Sequence, residues 1–113
     1  MKITFGDKKL EKLANDDRKR IQALGKLRAE ILRRRLSQLE DAATLEEVRH
    51  LPGNYHELKG DRKGQWACDL DQPYRLIFTP HADPIPTNEA GQYVWLAITG
   101  VAVIEIINYH KEA

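Results

Sequence analysis

The hydrophobic pattern of the chain changes its period near residue 52, and this change restricts the fold more than any other feature. Before that point apolar residues recur at helical spacing. The clearest series is Leu27, Ile31, Leu32, Leu36 and Leu39. After it, short β-rich segments alternate with tight turns, which favours antiparallel pairing. Because Ile3 and Phe5 also alternate with polar neighbours, the order strand, helices, strands predicts an α+β fold.

Capping residues mark where the predicted helices begin. Asp7 is a predicted N-cap for a helix over residues 8–14, and the Asn-Asp-Asp run at 15–17 interrupts that helix and caps a second. A longer helix follows Gly25, and Thr44 opens a capping box before a short helical turn. We expect an N-terminal strand followed by two to three helices packed on one face of a curved, mainly antiparallel sheet.

The strands of that sheet are predicted from the second half of the chain. Three short strands are expected over residues 55–58, 65–70 and 74–78. Residues 93–98 and 101–109 supply one or two more, rich enough in β-branched residues to lie at its centre. Between these two groups of strands lies a proline-containing stretch, in which we expect a loop.

Length and composition describe one globular domain over residues 1–113. The chain is long enough for a single modest core, and 42% hydrophobic with 31% charged residues is unlike a disordered protein. The longest apolar stretches are too short for a membrane span, and the first residues do not resemble a signal peptide. Cys68 is the only cysteine and cannot form an internal disulfide, which favours a reducing, cytoplasmic location.

The charge of the chain is unevenly distributed. Although the net charge is +1, residues 1–50 hold 13 Lys and Arg against 9 Asp and Glu, and the remainder holds 5 against 8. The densest basic clusters are residues 18–20 and 33–35. They are compatible with RNA binding, and equally with a solvated helix face. Arg28 and Arg35 fall within the apolar arc of the long helix. In a structural interpretation their stems pack and their charged ends reach solvent or pair with carboxylates, and in a functional one either lines the rim of a substrate groove.

The residues that could carry chemistry are cations, histidines and a tyrosine. Zinc-ligand spacing, a phosphate-binding glycine loop and a nucleophile elbow are all missing, so no metal or cofactor is predicted. RNA cleavage by internal attack needs a base for the 2′-hydroxyl, cations on the phosphate and an acid for the leaving oxygen. The residue types that match this task are His56, Lys59, Arg62, Lys63, Arg75, Tyr109 and His110.

Strand periodicity restricts which of these side chains can cooperate. If Tyr74, Leu76 and Phe78 face the helices, Arg75 lies on the open face of the sheet. Tyr109 and its successor point apart in a continuous strand, so both reach one groove only if the chain leaves the ladder there. The glycine-flanked residues 60–64 join two strands, which predicts a β-turn with cations at its tip rather than a nucleotide cradle.

Each of these residues also has a structural interpretation. Histidines often lie on the surface, a C-terminal tyrosine often covers a sheet edge, and basic turns aid solubility. We expect Trp66 and Trp95 to fill the core rather than to stack on a base.

Three stretches resemble the HigB branch of the RelE/ParE toxin superfamily. They are residues 55–66, residues 73–78 and the closing Asn108-Tyr109-His110, and the resemblance extends over essentially the whole chain. It implies a RelE-like fold and a small bacterial toxin of a type II toxin–antitoxin pair that cleaves mRNA on the translating ribosome. The implied partners are a HigA-like helix-turn-helix antitoxin, the ribosome and mRNA, with operator DNA contacted only through the antitoxin and no membrane partner.

The resemblance also implies roles for individual residues. The implied catalytic positions are His56, Lys59, Arg75, Tyr109 and His110. The implied RNA-binding positions are Arg62, Lys63 and Asn108. The family commonly has aspartate where this chain has Asn108, so the sequence does not assign the base and the acid.

Two alternatives follow from the same sequence. One is a ParE-like inhibitor of DNA gyrase without catalysis, against which His56 and the Tyr109-His110 pair argue. The other is an inactive toxin fold that serves only in a complex with its antitoxin and repressor, suggested by Asn108.

Overall fold

The structure is a computed structural model that describes residues 1–109. The elements are β1 (Lys2–Phe5), α1 (Lys8–Asn15), α2 (Asp17–Leu24), α3 (Lys26–Asp41), α4 (Leu45–Val48), β2 (His56–Glu57), β3 (Trp66–Asp69), β4 (Tyr74–Pro80) and β5 (Gly100–Asn108), with 3-10 turns at Gly60–Arg62 and Trp95–Ala97. The predicted α+β class is confirmed by this order of elements.

The five strands form one mixed sheet in the order β1-β5-β4-β3-β2. Strands β2 to β5 pair antiparallel with their neighbours, as predicted, whereas β1 joins β5 in parallel with Ile3 opposite Val101. The register of β4 against β5 shifts between Ile77 and Phe78. Because β5 lies between β1 and β4, its β-branched residues lie inside the sheet, as their composition predicts.

The predicted helix starts are confirmed at two of the caps. The Asp7 carboxylate accepts a hydrogen bond from the Leu10 N–H at 2.8 Å, and Asp16 accepts one from Lys19 at 3.0 Å. The short helix begins at the predicted Thr44, but the predicted capping box does not form. Thr44 makes no side-chain cap hydrogen bond, and the Glu47 carboxylate accepts instead from the Ala43 N–H at 2.9 Å.

Arg20 belongs to a basic cluster of the sequence and yet is buried, with 4% of its surface exposed. Its guanidinium donates to the backbone oxygens of Leu13 and Ala14, each at 3.0 Å, and pairs with Asp17. These two carbonyls lie at the end of α1, where the helix itself provides no donors. Arg20 therefore caps α1 from α2, and this part of the cluster serves the fold.

For Arg28 and Arg35 the structure favours the structural interpretation. Arg28 forms two hydrogen bonds with the Asp71 carboxylate, at 2.8 and 3.1 Å, and its guanidinium lies 3.4 Å from the centroid of the Tyr74 ring. Arg35 donates to the backbone oxygen of Asp69 at 2.7 Å. The two side chains thus connect α3 to the end of β3 and to the turn that follows it.

The core lies between the sheet and the helices α3 and α4. Its fully buried members include Leu39, Leu45, Val48, Trp66, Leu76, Phe78, Ile98 and Val101. Trp66 stacks on Phe78 with ring centroids 6.1 Å apart, so the prediction of a core role for Trp66 is confirmed. One side of the sheet is thereby covered.

The prediction that residues 93–98 could form a strand is wrong. Residues 95–97 form a 3-10 turn, in which the Ala97 N–H donates to the Val94 oxygen at 2.9 Å. The Ile98 carbonyl accepts from the N–H of Leu45, at the start of α4. The backbone of this segment is therefore engaged by its own turn and by α4, so it adds no strand to the sheet.

No helix within residues 1–109 is long and apolar enough to cross a bilayer. In the same range, the histidine, cysteine and acidic side chains form no group of three or more that could hold a metal ion.

Cys68 is fully buried in the core, and burial raises the pKa of its thiol to about 12. We expect the native protein to resist a disulfide reagent at mildly alkaline pH and to react once its single cysteine is exposed in urea. Because the folded-state pKa is raised, the thiol's contribution to stability is present below its ordinary pKa and lost as the pH rises toward 12. Rapid labelling of the native protein would contradict this assignment.

Candidate functional site

A cleft of about 360 Å³ opens on the face of the sheet that the helices leave uncovered. Its polar walls are Lys59, Asp61, Arg62, Arg75 and Tyr109, and its apolar lining is Leu58, Ile77 and Ile107. The cleft thus combines three basic side chains, one acidic side chain and a phenol above an apolar floor.

Strand alternation places Arg75 in this cleft. Leu76 on its C-terminal side is buried in the core, so Arg75 points to the opposite face, as the sequence predicted. The register of the sheet sets Arg75 between Asp69 of β3 and Ile107 of β5. These three residues therefore form one row across this face of the sheet.

Two neighbours hold the guanidinium of Arg75 in position. Its Nε lies 3.5 Å from the Oδ1 of Asp69, and its central carbon lies 4.0 Å from the centroid of the Tyr109 ring. That Asp69 oxygen is buried and accepts no hydrogen bond from residues 1–109, so the guanidinium is its counter-charge. No hydrogen bond within the same range engages the Nη groups of Arg75, which leaves these donors for a ligand.

Arg62 forms a second wall and is also paired. Its Nη1 donates to Glu105 at 2.6 Å and to Gln65 at 2.8 Å. The predicted turn forms, since the Lys63 N–H donates to the Gly60 oxygen at 3.1 Å within a 3-10 turn at residues 60–62. Arg62, however, does not lie at the tip of the turn but folds back over the sheet. One of the groups that hold Arg62 there is the carboxylate of Glu105, which lies on β5 and is far from the turn in sequence.

The two lysines of this region point into different clefts. Lys59 lines the cleft of Arg75, whereas Lys63 lines a neighbouring cleft beside Tyr93. Neither lysine forms an ion pair within residues 1–109. The structure therefore brings Lys59 together with Arg62, Arg75 and Tyr109, and separates Lys63 from them.

His56 lies on the same face as Arg75 but outside the walls of the cleft. It is paired with Ala67, which is in turn paired with Ile77, so the three residues share one face. The His56 Nδ1 lies 2.6 Å from the backbone oxygen of Asn54. In a neutral ring this contact makes Nδ1 the donor, and Nε2 is then able to accept a proton.

The C-terminal residues are divided between the faces of the sheet. Strand β5 ends at Asn108, which is paired with Tyr74 and so shares the helix-facing side. Tyr109 turns its ring toward Arg75, and its N–H donates to the oxygen of Pro73 at 2.9 Å. His110 lies outside the described residues.

Sequence reasoning missed the acidic members of the site, Asp61, Asp69 and Glu105. Asp69 could have been found, since a hairpin closed by the predicted turn at 71–73 sets Asp69 opposite Arg75. The pairing of Glu105 with Arg62 depends on a contact across the sheet that no local signal indicates.

The order of the elements and the five-stranded mixed sheet define the class of the fold, which is RelE-like. Among solved structures, the chain is similar to the YoeB/ParE toxin from Agrobacterium tumefaciens, with a TM-score of 0.55 and 15% sequence identity. The similarity covers 94% of this chain and 95% of that chain, which shows a common fold.

The family is shown by the sequence itself. A family model described as the RelE-like toxin of the type II toxin–antitoxin system HigB matches residues 3–88. The chain therefore belongs to the HigB-like toxin family, and an antitoxin is its expected partner. A comparison with curated proteins finds no match. The match to the family model includes His56, Lys59 and Arg75 and ends before Tyr109.

Proposed function

We propose that this toxin is a ribosome-dependent endoribonuclease that cleaves translated mRNA through attack by the 2′-hydroxyl group. The observation that carries the proposal is the fixed position of the Arg75 guanidinium in the cleft. This guanidinium is fixed by Asp69 and by the Tyr109 ring, its Nη groups make no hydrogen bond within residues 1–109, and the side chain lines a basic cleft. A fixed cation with open donors can stabilise the charge that builds on a phosphate during the reaction.

The reaction requires two proton transfers. The 2′-oxygen loses its proton to a base and attacks phosphorus, which gives a 2′,3′-cyclic phosphate. The 5′-oxygen leaves and takes a proton from an acid. We assign these transfers to His56, Tyr109 and His110 together, and the stabilisation of phosphate charge to Lys59 and Arg75. The required charges and protons are thus supplied by side chains of this chain.

The remaining basic residues position the RNA. Arg62 and Lys63 contact the RNA strand and carry little sequence information themselves. Asn108, which is uncharged and shares the helix-facing side, contacts the strand only where the strand passes the end of β5. Arg62 already pairs with Glu105, so an incoming phosphate competes with that carboxylate for the guanidinium.

The partners follow from the target and the family. Translating ribosomes and their mRNA place the activity in the cytoplasm. A HigA-like helix-turn-helix antitoxin neutralises the toxin and makes the contact with operator DNA.

Induction of the toxin without its antitoxin tests this proposal. We expect growth arrest and new mRNA ends within translated regions. The new 5′ ends should carry a hydroxyl group, so they should be ligated only after treatment with a polynucleotide kinase. With purified components, mRNA on ribosomes should be cut and free mRNA should remain intact.

Two results would refute the proposal. One is growth arrest with intact mRNA and with inhibition of DNA supercoiling in a gyrase assay, which would indicate a gyrase inhibitor. The other is normal growth at full expression, which would indicate a fold that serves only in the antitoxin complex.

A further inference from the structure

A second cleft, of about 800 Å³, lies next to the first. Its lining includes Leu58, Lys63, Tyr93 and Trp95. Leu58, which follows β2, lines both clefts, so the two adjoin at this edge of the sheet, with Glu57 and Trp95 of the second cleft on the side of Trp66. A single RNA strand that passes around this edge of the sheet could therefore occupy both clefts at once.

The aromatic wall of the second cleft is anchored in the core. The Tyr93 ring meets the Trp95 ring edge to face at 5.4 Å, and Trp95 meets the buried Trp66 in the same way at 5.3 Å. Rings held in this manner lose little freedom when a ligand binds. Trp95, unlike Trp66, is only partly buried and contributes to the cleft, so the expectation of a purely core role for it is incomplete.

The loop that carries Tyr93 is itself held by hydrogen bonds. The Asn88 N–H donates to the Gln92 oxygen at 2.9 Å, and the Val94 N–H donates to the Pro86 oxygen at 3.0 Å. Tyr93 also forms a β-bridge with Thr87. The segment at residues 86–94, which carries Tyr93, is therefore a closed hairpin rather than an extended loop.

The charge of this cleft favours an anion at Lys63. Within residues 1–109 its ammonium group has no carboxylate or hydrogen-bond partner. The acidic residue of the cleft, Glu57, is paired with Arg49 at 2.5 Å. An uncompensated cation beside an aromatic wall is the combination that binds single-stranded nucleic acids, with bases on the rings and phosphates on the cation.

We propose that the Tyr93 and Lys63 cleft binds a nucleotide that flanks the cleaved bond, with its base against Tyr93 and its phosphate on Lys63. The inference rests on the proposed function, because it extends the same RNA strand from the cleft of Arg75. It assigns the hairpin at residues 86–94 to substrate binding.

Kinetics on ribosomes programmed with a defined mRNA test the subsite. We expect Tyr93→Leu to raise KM about tenfold with little change in kcat, which is the size expected for the loss of one base–aromatic stack. Tyr93→Phe should keep the KM of the wild type, because the ring is retained. Lys63→Gln should raise KM severalfold and weaken its salt dependence. Lys12→Gln, on α1 outside both clefts, is the matched charge control and should behave as wild type.

A crosslinking experiment separates the subsite from catalysis. An mRNA with 4-thiouridine beside the cleavage position is bound on ribosomes with the Arg75→Ala toxin, and the crosslinked peptide is identified. We expect the peptide that contains Tyr93 and Trp95. This readout needs neither cleavage nor a Tyr93 variant that folds.

The outcomes distinguish the two proposals. Cleavage by the wild type with unchanged KM in Tyr93→Leu and Lys63→Gln, and with crosslinks elsewhere, would overturn the subsite and leave the nuclease intact. Absence of both cleavage and crosslinking would overturn both. If Tyr93→Leu and Lys63→Gln instead weaken binding of the antitoxin and leave KM unchanged, the cleft is a protein interface and the subsite is again overturned.

Discussion

Replacing Arg75 with alanine is expected to lower the rate of mRNA cleavage about 10²- to 10³-fold, which is the cost of removing one preorganised donor to a developing negative charge. The loss should appear mainly in kcat, because the charge on the phosphate is greatest in the transition state. Single-turnover cleavage on programmed ribosomes measures this effect. Growth of cells that express the variant without antitoxin gives an independent readout.

Two further variants make the result specific. Arg75→Lys keeps a positive charge but loses the planar fork and its stacking on Tyr109, so it should recover only part of the rate. Arg33→Ala removes an exposed arginine that pairs with Glu30 on α3, and it should cleave as wild type. Thermal unfolding of each variant shows whether the fold is retained. A folded Arg75→Ala toxin with a normal rate would show that Arg75 lies outside the reaction.

Local signals in the sequence were sufficient for most of the framework around this site. Asp7 and Asp16 cap helices, and each precedes a series of apolar residues at helical spacing. The capping bond and the helical spacing both involve residues only a few positions apart. The face of Arg75 followed from the alternation of side chains along one strand. Each of these predictions depends on neighbours in the chain, which a sequence displays directly.

The parts that the sequence left out depend on contacts between distant segments. Arg62 folds back because Glu105 lies on another strand, and residues 95–97 turn because Trp95 packs on Trp66 and Ile98 bonds to Leu45. No periodicity encodes these partners. Lys63 was grouped with Arg62 for the same reason, although the turn sends the two side chains to different clefts.

The structure shows on which face of the sheet Asn108 lies, the position at which the resemblance implies an aspartate. Asn108 is paired with Tyr74 and shares its side of the sheet, whereas Arg75 faces the cleft. Within residues 1–109, the carboxylates that pair with the arginines of the cleft are Asp69 and Glu105. We infer that these carboxylates set the orientation of the cations, while proton transfer falls to the histidines and the phenol.

Tyr109 offers the sharpest test of that division, because its ring and its hydroxyl can be removed separately. The ring lies against the guanidinium of Arg75, and 44% of the residue is exposed at the cleft. If the hydroxyl takes part in proton transfer, Tyr109→Phe should slow single-turnover cleavage about 10²-fold or more while the stacking on Arg75 is kept.

Tyr109→Ala should be slower still, since it removes the hydroxyl and also one of the two groups that hold Arg75. The difference between the two variants then measures the positioning of Arg75 by the ring. Combining Tyr109→Ala with Arg75→Ala should cost less than the sum of the two single losses, because the ring acts partly through the guanidinium. A fully active Tyr109→Phe toxin beside an impaired Tyr109→Ala toxin would contradict a role in proton transfer. In that case Tyr109 would be a positioning residue only, and the proton transfers would rest on His56 and His110.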